Sequence, residues 1–179
     1  MKHKSISELF SAFEKLNVLI IGDVMLDNYL WGKVDRISPE APVPIASIQN
    51  KESRLGGAAN VAINIQTLGA TPILCSVIGN DMNGRSFIEL LKQIGMSADG
   101  IFQSTERITT VKTRIIGNNH QMLRVDEEME TDLTPSDRKQ LLNRITTIVS
   151  KKNIDVIIFE DYDKGVIGKQ LIEGVVKLA

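Results

Sequence analysis

The sequence predicts an α/β fold: a mostly parallel sheet flanked by helices, with a small antiparallel β sheet standing off it. Three observations carry that expectation. Short, nearly continuous apolar runs end in polar residues, as strands buried on both faces do. Between them lie segments whose apolar residues recur at helical spacing, and such alternation favours parallel strands joined by right-handed crossovers. Two further segments, rich in β-branched residues, break the rhythm and read as strands of a separate sheet.

The first strand is NVLIIGD, from Asn17 to Asp23. PILCSVIGN, from Pro72, and IDVIIFEDY, from Ile154, repeat its design, and a weaker strand near DGIFQS would bring the parallel set to roughly four. After the glycine pair Gly56-Gly57, one helical face collects Ala58, Val61, Ala62, Ile65 and Leu68. Phe87, Leu90, Leu91 and Ile94 form the next, and Gly95 supplies its stop. Thr134 is placed to cap a third helix, with Pro135 at its first position, Asp137 in a capping-box place, and Leu141, Leu142, Ile145, Ile148 and Val149 as its stripe. Ile167, Leu171, Val175 and Leu178 share one side of the last.

The small sheet is expected from residues 28–53 and 109–126. The first carries Pro39, Pro42 and Pro44, and the second reads as a hairpin around GNNH. The chain reaches Ala179 with a parallel strand still at the edge, so the sequence predicts that the fold continues beyond it.

Composition narrows the function classes. Of 179 residues, 42% are hydrophobic and 24% charged, which suits one globular unit with a real core. The net charge of -1 gives no reason to expect nucleic acid or an anionic membrane as partner. Cys75 is the only cysteine and His3 and His120 the only histidines, so neither an intrachain disulfide nor a thiolate or zinc cluster is expected. No apolar run approaches the ~18 residues of a membrane span, and no signal peptide is apparent, which predicts a cytoplasmic protein.

Ligands of an open parallel sheet sit outside the carboxyl ends of its strands. The polar residues expected there are Asp23, Asp27, Asp81, Glu160, Asp161, Asp163 and Lys164, with Gly56, Gly57 and Asn60 opening onto the same side. Asp and Asn suit sugar hydroxyls, and Lys112, Arg114 and Arg124 could reach a phosphate from the hairpin. Each has a plainer reading. Asp23 can simply end a strand, and Asp81 can simply cap a helix. The cations of VKTRI fit a solvated strand face, and DEEMETD a solvated loop. Cys75 and Trp31 fit packing positions. Nothing in the local sequence demands two glycines at 56 and 57. Residue types alone lead to an α/β domain that binds a small molecule.

Read together, GDVMLD, RISPEAPVPI, LGGAANVAINIQTLGA, VIGNDMNGRSF, TVKTRII and LRVDEE resemble the ribokinase-like (PfkB-type) sugar kinases. The wording is closest to the branch acting on D-glycero-β-D-manno-heptose 7-phosphate, whose members often form the first half of a bifunctional heptose kinase/adenylyltransferase serving ADP-heptose synthesis for the lipopolysaccharide core. The resemblance covers the chain from about Asn17 onward.

It implies a ribokinase-like fold with residues 1–179 as the N-terminal part of one kinase domain, and the small sheet as a lid that covers the sugar and forms a homodimer contact. It implies sugar contacts from Asp27, Gly56, Gly57 and Asn60, phosphate contacts from Lys112, Arg114 and Arg124, and further contacts from Asp161 and Lys164. EDYDKG departs from the family wording SDYxKG at Glu160, which weakens the last two. ATP and Mg2+ are implied for a full-length parent. The family's GAGD motif, with its catalytic aspartate, does not occur between Met1 and Ala179. The resemblance therefore implies no catalytic base and no metal ligand within this stretch. A related kinase for another sugar or nucleoside, and a non-catalytic sugar-phosphate-binding or dimerisation module, are the alternatives.

Overall fold

The computed structural model describes residues 5–178; His3 and the chain end at Ala179 lie outside them. In chain order the elements are α1 (Ile6–Phe13), β1 (Asn17–Gly22), β2 (Val24–Ile37), β3 (Pro44–Gly57), α2 (Ala58–Thr67), β4 (Thr71–Gly79) and α3 (Met82–Gln93). Then follow β5 (Ile101–Ser104), β6 (Val111–Gly117), β7 (His120–Glu127), α4 (Pro135–Lys151), β8 (Val156–Glu160) and α5 (Lys169–Val176). Four parallel strands form one sheet in the order β5-β4-β1-β8.

The continuous apolar run of β1 has a simple cause. Its side chains alternate between two cores, one on each face of the sheet. Val18 and Ile20 join α2 and α3 through Ala58, Ala62, Phe87 and Leu91. Leu19 and Ile21 join α4 and α5 through Leu141, Ile145, Leu171 and Val175. Full burial of each such side chain contributes roughly 1.5–3 kcal/mol. Cys75 sits in the second core, and burial pushes its thiol pKa up to about 12, so it acts as a small apolar residue.

Helix boundaries follow their caps. Asp81 accepts the Gly84 N–H at 2.7 Å to start α3, and Gly95, with φ of 72°, follows its end. Thr134 caps α4 through the Asp137 N–H at 3.1 Å. Asp137 does not complete a capping box. Its buried carboxylate instead accepts the Ser104 hydroxyl at 2.7 Å.

The two excursions do form one second sheet, in the order β3-β2-β6-β7. It is mixed rather than antiparallel: β2–β3 and β6–β7 are antiparallel hairpins, and the β2–β6 seam between them is parallel. The cause is topological. β2 and β6 both leave the carboxyl ends of parallel strands, so they set out in the same direction. The GNNH hairpin closes on Asn118 and Asn119, with φ of 51° and 64°, which gives the two-residue turn that matches strand twist.

Candidate functional site

Side chains alternate along a strand, so Asp27, Tyr29 and Trp31 of β2 share one face of the second sheet, the expected lid. Register sets Arg54 on one side of Asp27 and Lys112 on the other, and sets Arg114 beside Tyr29. Arg114 in turn faces Arg124, and Lys112 faces Asp126. The result is a charged face with an aromatic floor. Tyr29 and Trp31 stack at 5.3 Å, and the guanidinium groups of Arg54 and Arg114 lie 4.9 and 5.3 Å from the Tyr29 ring centre.

Asp27 meets Arg114 Nη1 at 2.6 Å, and that carboxylate is the main reason the Arg114 pKa is raised. Lys112 Nζ contacts Asp126 at 3.0 Å and Glu128 at 2.7 Å. Arg124 also binds Asp126, at 2.9 Å. Glu128 reaches with its other oxygen to Lys164 Nζ at 3.1 Å, and Glu130 joins the same ammonium at 2.9 Å. Because Lys164 follows β8, this chain of charges turns the lid face toward the carboxyl end of the parallel sheet.

A second hub lies beneath it. Asp23 is 1% exposed, and its carboxylate accepts the N–H groups of Tyr162, Lys164 and Val166 at 2.9, 3.2 and 3.0 Å. Its carbonyl accepts the Ala58 N–H at 2.8 Å. One residue therefore fixes both the start of α2 and the loop bearing Lys164. Arg107 closes that loop by donating to the carbonyls of Thr131 and Lys164.

The residues singled out in the sequence separate into two groups. Asp27, Lys112, Arg114, Arg124 and Lys164 come together. Asn60 is exposed on the first turn of α2, beside Ser53, Arg54, Leu55 and Ile63, outside the ion-pair cluster. Asp161 is exposed and accepts the Asp163 N–H at 2.8 Å in a local turn.

The glycine pair has local causes that its sequence does not reveal. Gly57 has φ of 60° and ψ of -137°, and a Cβ there would collide with the Asp23 carbonyl oxygen. A Cβ on Gly56 would meet the Asp27 carboxylate. Asp81 keeps its plain role as a cap, and also accepts from the Thr109 N–H and hydroxyl, both at 2.8 Å.

Two of the plainer readings do not hold. DEEMETD is not merely a solvated loop, since Asp126, Glu128 and Glu130 neutralise the lid and loop lysines. The cations of VKTRI are not a solvated face either, since Lys112 is only 15% exposed. One signal could have found the carboxylates: Arg124, Asp126 and Glu128 recur at every second residue, the period that puts them on one face.

These pairs give the site an acid limit. The lysine contact from Lys112 is the main reason the carboxyls of Asp126 and Glu128 fall below their ordinary values of 3.8 and 4.5. Depressed carboxyl pKa values stabilise the fold above the ordinary values, and that contribution disappears as pH falls through the folded ones. Lowering the pH below about 4 should loosen the lid before the core. Trp31 is the only tryptophan, so its emission reports the lid while far-ultraviolet dichroism reports the helices. Simultaneous change in both signals would contradict a lid held by these pairs.

Chemically, the face offers a carboxylate for hydroxyl groups beside several donors for an anion. Among the described residues, no group of three or more His, Cys, Asp or Glu is gathered to hold a metal ion. No helix among them is long and apolar enough to cross a membrane.

Comparison with known proteins adds four findings. Residues 15–173 match the profile described as pfkB family carbohydrate kinase. The bifunctional protein HldE of Helicobacter pylori is 46% identical over 162 residues, covering 90% of this chain and 35% of that protein. HldE of Pelobacter propionicus is 40% identical over 179 residues, covering 100% of this chain and 36% of that protein. The chain thus spans about a third of the length of these relatives. Among solved structures, the tetrameric inhibited form of Escherichia coli phosphofructokinase-2 shares the fold with a TM-score of 0.64 at 16% identity, over 91% of this chain and 52% of that one.

Proposed function

Because this chain belongs to the pfkB family of carbohydrate kinases, we propose that it forms the sugar-binding half and lid of an ATP-dependent kinase for the anomeric hydroxyl of D-glycero-β-D-manno-heptose 7-phosphate. The observation that carries this reading is the lid face itself, where Asp27 of β2 is paired with Arg114 and lies in register with Lys112 of the neighbouring strand. Asp27 would accept from sugar hydroxyls, and Lys112, Arg114, Arg124 and Lys164 would hold the 7-phosphate. Gly56 keeps space for the Asp27 carboxylate, and Gly57 and Asn60, at the start of α2, would add further sugar contacts. The lid would exclude water, so that the phosphoryl group passes to the sugar.

Mg2+ does not fit the lid face. The lid-face carboxylates Asp27, Asp126, Glu128 and Glu130 are each committed to lysine or arginine, and GAGD does not occur in the sequence. We therefore assign the phosphoryl-transfer groups to sequence outside this stretch, and a cytoplasmic location to the whole. The stretch alone is expected to release no ADP from ATP with heptose 7-phosphate, whereas the full-length protein that carries it should do so. ADP release by the stretch alone would refute this division of labour. Sugar-phosphate binding without turnover by the full-length protein would favour a non-catalytic module.

We also propose that two lids pack together in a homodimer. The lid's apolar residues, among them Val111, Ile115, Trp31 and Val43, do not share one face. Val111 is in the core and Trp31 lies on the charged side. The opposite side carries the cross-strand row Leu30, Ile115 and Leu123, with Leu123 exposed. Sedimentation at roughly tens of micromolar, where a weak interface already forms, should show a dimer that Leu123→Asp disrupts. A monomer in both proteins would refute the contact.

A further inference from the structure

We propose that Glu128, with Asp126, is an electrostatic latch: it holds the lysines that grip the substrate's phosphate, and the arriving phosphate displaces it. The inference rests on the sugar-phosphate reading and adds to it a device for selecting phosphorylated sugars.

The geometry is that of a bridge. Glu128 holds Lys112 of β6 with one carboxylate oxygen, at 2.7 Å, and Lys164 with the other, at 3.1 Å. Lys112 belongs to the lid, and Lys164 to the loop that Asp23 fastens to the parallel sheet. One side chain therefore ties the lid to the body of the domain. Asp126 secures Lys112 from the other side at 3.0 Å, and Glu130 secures Lys164 at 2.9 Å. The two lysine side chains are only 15% and 13% exposed. Withdrawn from water to that degree, each ammonium needs anionic partners, and carboxylates now fill the role.

A phosphate carries about -1.5 to -2 charges and several acceptor oxygens, so it can replace those partners on the same lysines. Both sets cannot stay. Lys112, Lys164 and Arg124 already balance Asp126, Glu128 and Glu130, and phosphate added to that balance would be repelled. Glu128 is also free to leave. The β6–β7 ladder ends at the Val111–Glu127 pair, and Glu128 begins the irregular segment leading to α4, so it can swing out without breaking a strand. A sugar without phosphate has no charge with which to exchange.

The test is the affinity of the full-length protein for inorganic phosphate, measured by calorimetry for the parent, Glu128→Gln and Lys112→Met. The latch predicts that Glu128→Gln binds phosphate more tightly by about fivefold, the scale of one partly exposed ion pair. Asp126→Asn, which frees the same lysine from the other side, should shift affinity in the same direction. Lys112→Met should lose affinity with Glu128 present or replaced. Equal or weaker binding by both carboxylate variants would overturn the latch, since displacing a competing carboxylate must cost phosphate affinity. A parallel titration with heptose 7-phosphate separates the two ideas. If Lys112→Met weakens it while Glu128→Gln brings no gain, the latch alone fails. If Lys112→Met leaves it unchanged, the phosphate assignment fails and the latch with it.

Discussion

Replacing Gly57 by valine is expected to lower the stability of the protein by about 3 kcal/mol or more, through the backbone rather than through any ligand. At φ of 60° and ψ of -137° the residue occupies a region that side chains with a Cβ avoid. The added atom would also strike the Asp23 carbonyl oxygen, which accepts the first N–H of α2 from Ala58. Moving that carbonyl frees a donor at the helix start and disturbs the residue that holds the loop of Tyr162, Lys164 and Val166. For a chain of this size the loss corresponds to a fall in Tm of roughly 6–12 °C. Gly57→Ala separates the possible causes, because it adds the same Cβ with little extra bulk. It should lose most of the same stability. An alanine variant that melts like the parent but no longer binds sugar would show that the glycine is there for the ligand. Gly56 should behave differently, since its Cβ would press chiefly on the movable Asp27 carboxylate and on the Met25 side chain.

Asp27→Asn is expected to weaken sugar binding by about 1.5–3 kcal/mol, or roughly ten- to a hundredfold, with little change in Tm. The carboxylate is held at 2.6 Å by Arg114, a residue of the neighbouring strand, so its orientation is fixed before a ligand arrives. An amide keeps the shape and one acceptor but loses the charge that strengthens hydrogen bonds from hydroxyls. Calorimetry with heptose 7-phosphate, alongside thermal melting, gives both numbers. Unchanged affinity would remove Asp27 from the sugar site, and a large drop in Tm would make its role structural.

The parallel sheet was legible because burial on two faces leaves a strong local mark. β1, β4 and β8 read as apolar runs, and the caps at Asp81 and Thr134 stand next to the helices they start. The direction of the β2–β6 seam was not legible, because it depends on where two distant segments leave the main sheet. For the same reason the glycine pair looked functional from sequence alone: the carbonyl that Gly57 must avoid belongs to Asp23, 34 positions earlier by residue number. Lys112, Arg114 and Arg124 stood out by charge and alternation. Their partners Glu128 and Glu130 looked like solvated acids, because an ion pair with Lys164 has no local sequence signature.

The most direct measurement is the difference in affinity of the full-length protein for heptose 7-phosphate and for the same heptose without its phosphate. A site built on Lys112, Arg114, Arg124 and Lys164 should prefer the phosphorylated sugar by roughly a hundredfold or more, from two or more charge-assisted contacts of about 1.5–3 kcal/mol each. Lys112→Met should remove a substantial part of that preference. Equal affinity for the two sugars, or a preference that Lys112→Met leaves intact, would contradict the assignment of this lid face to a sugar phosphate.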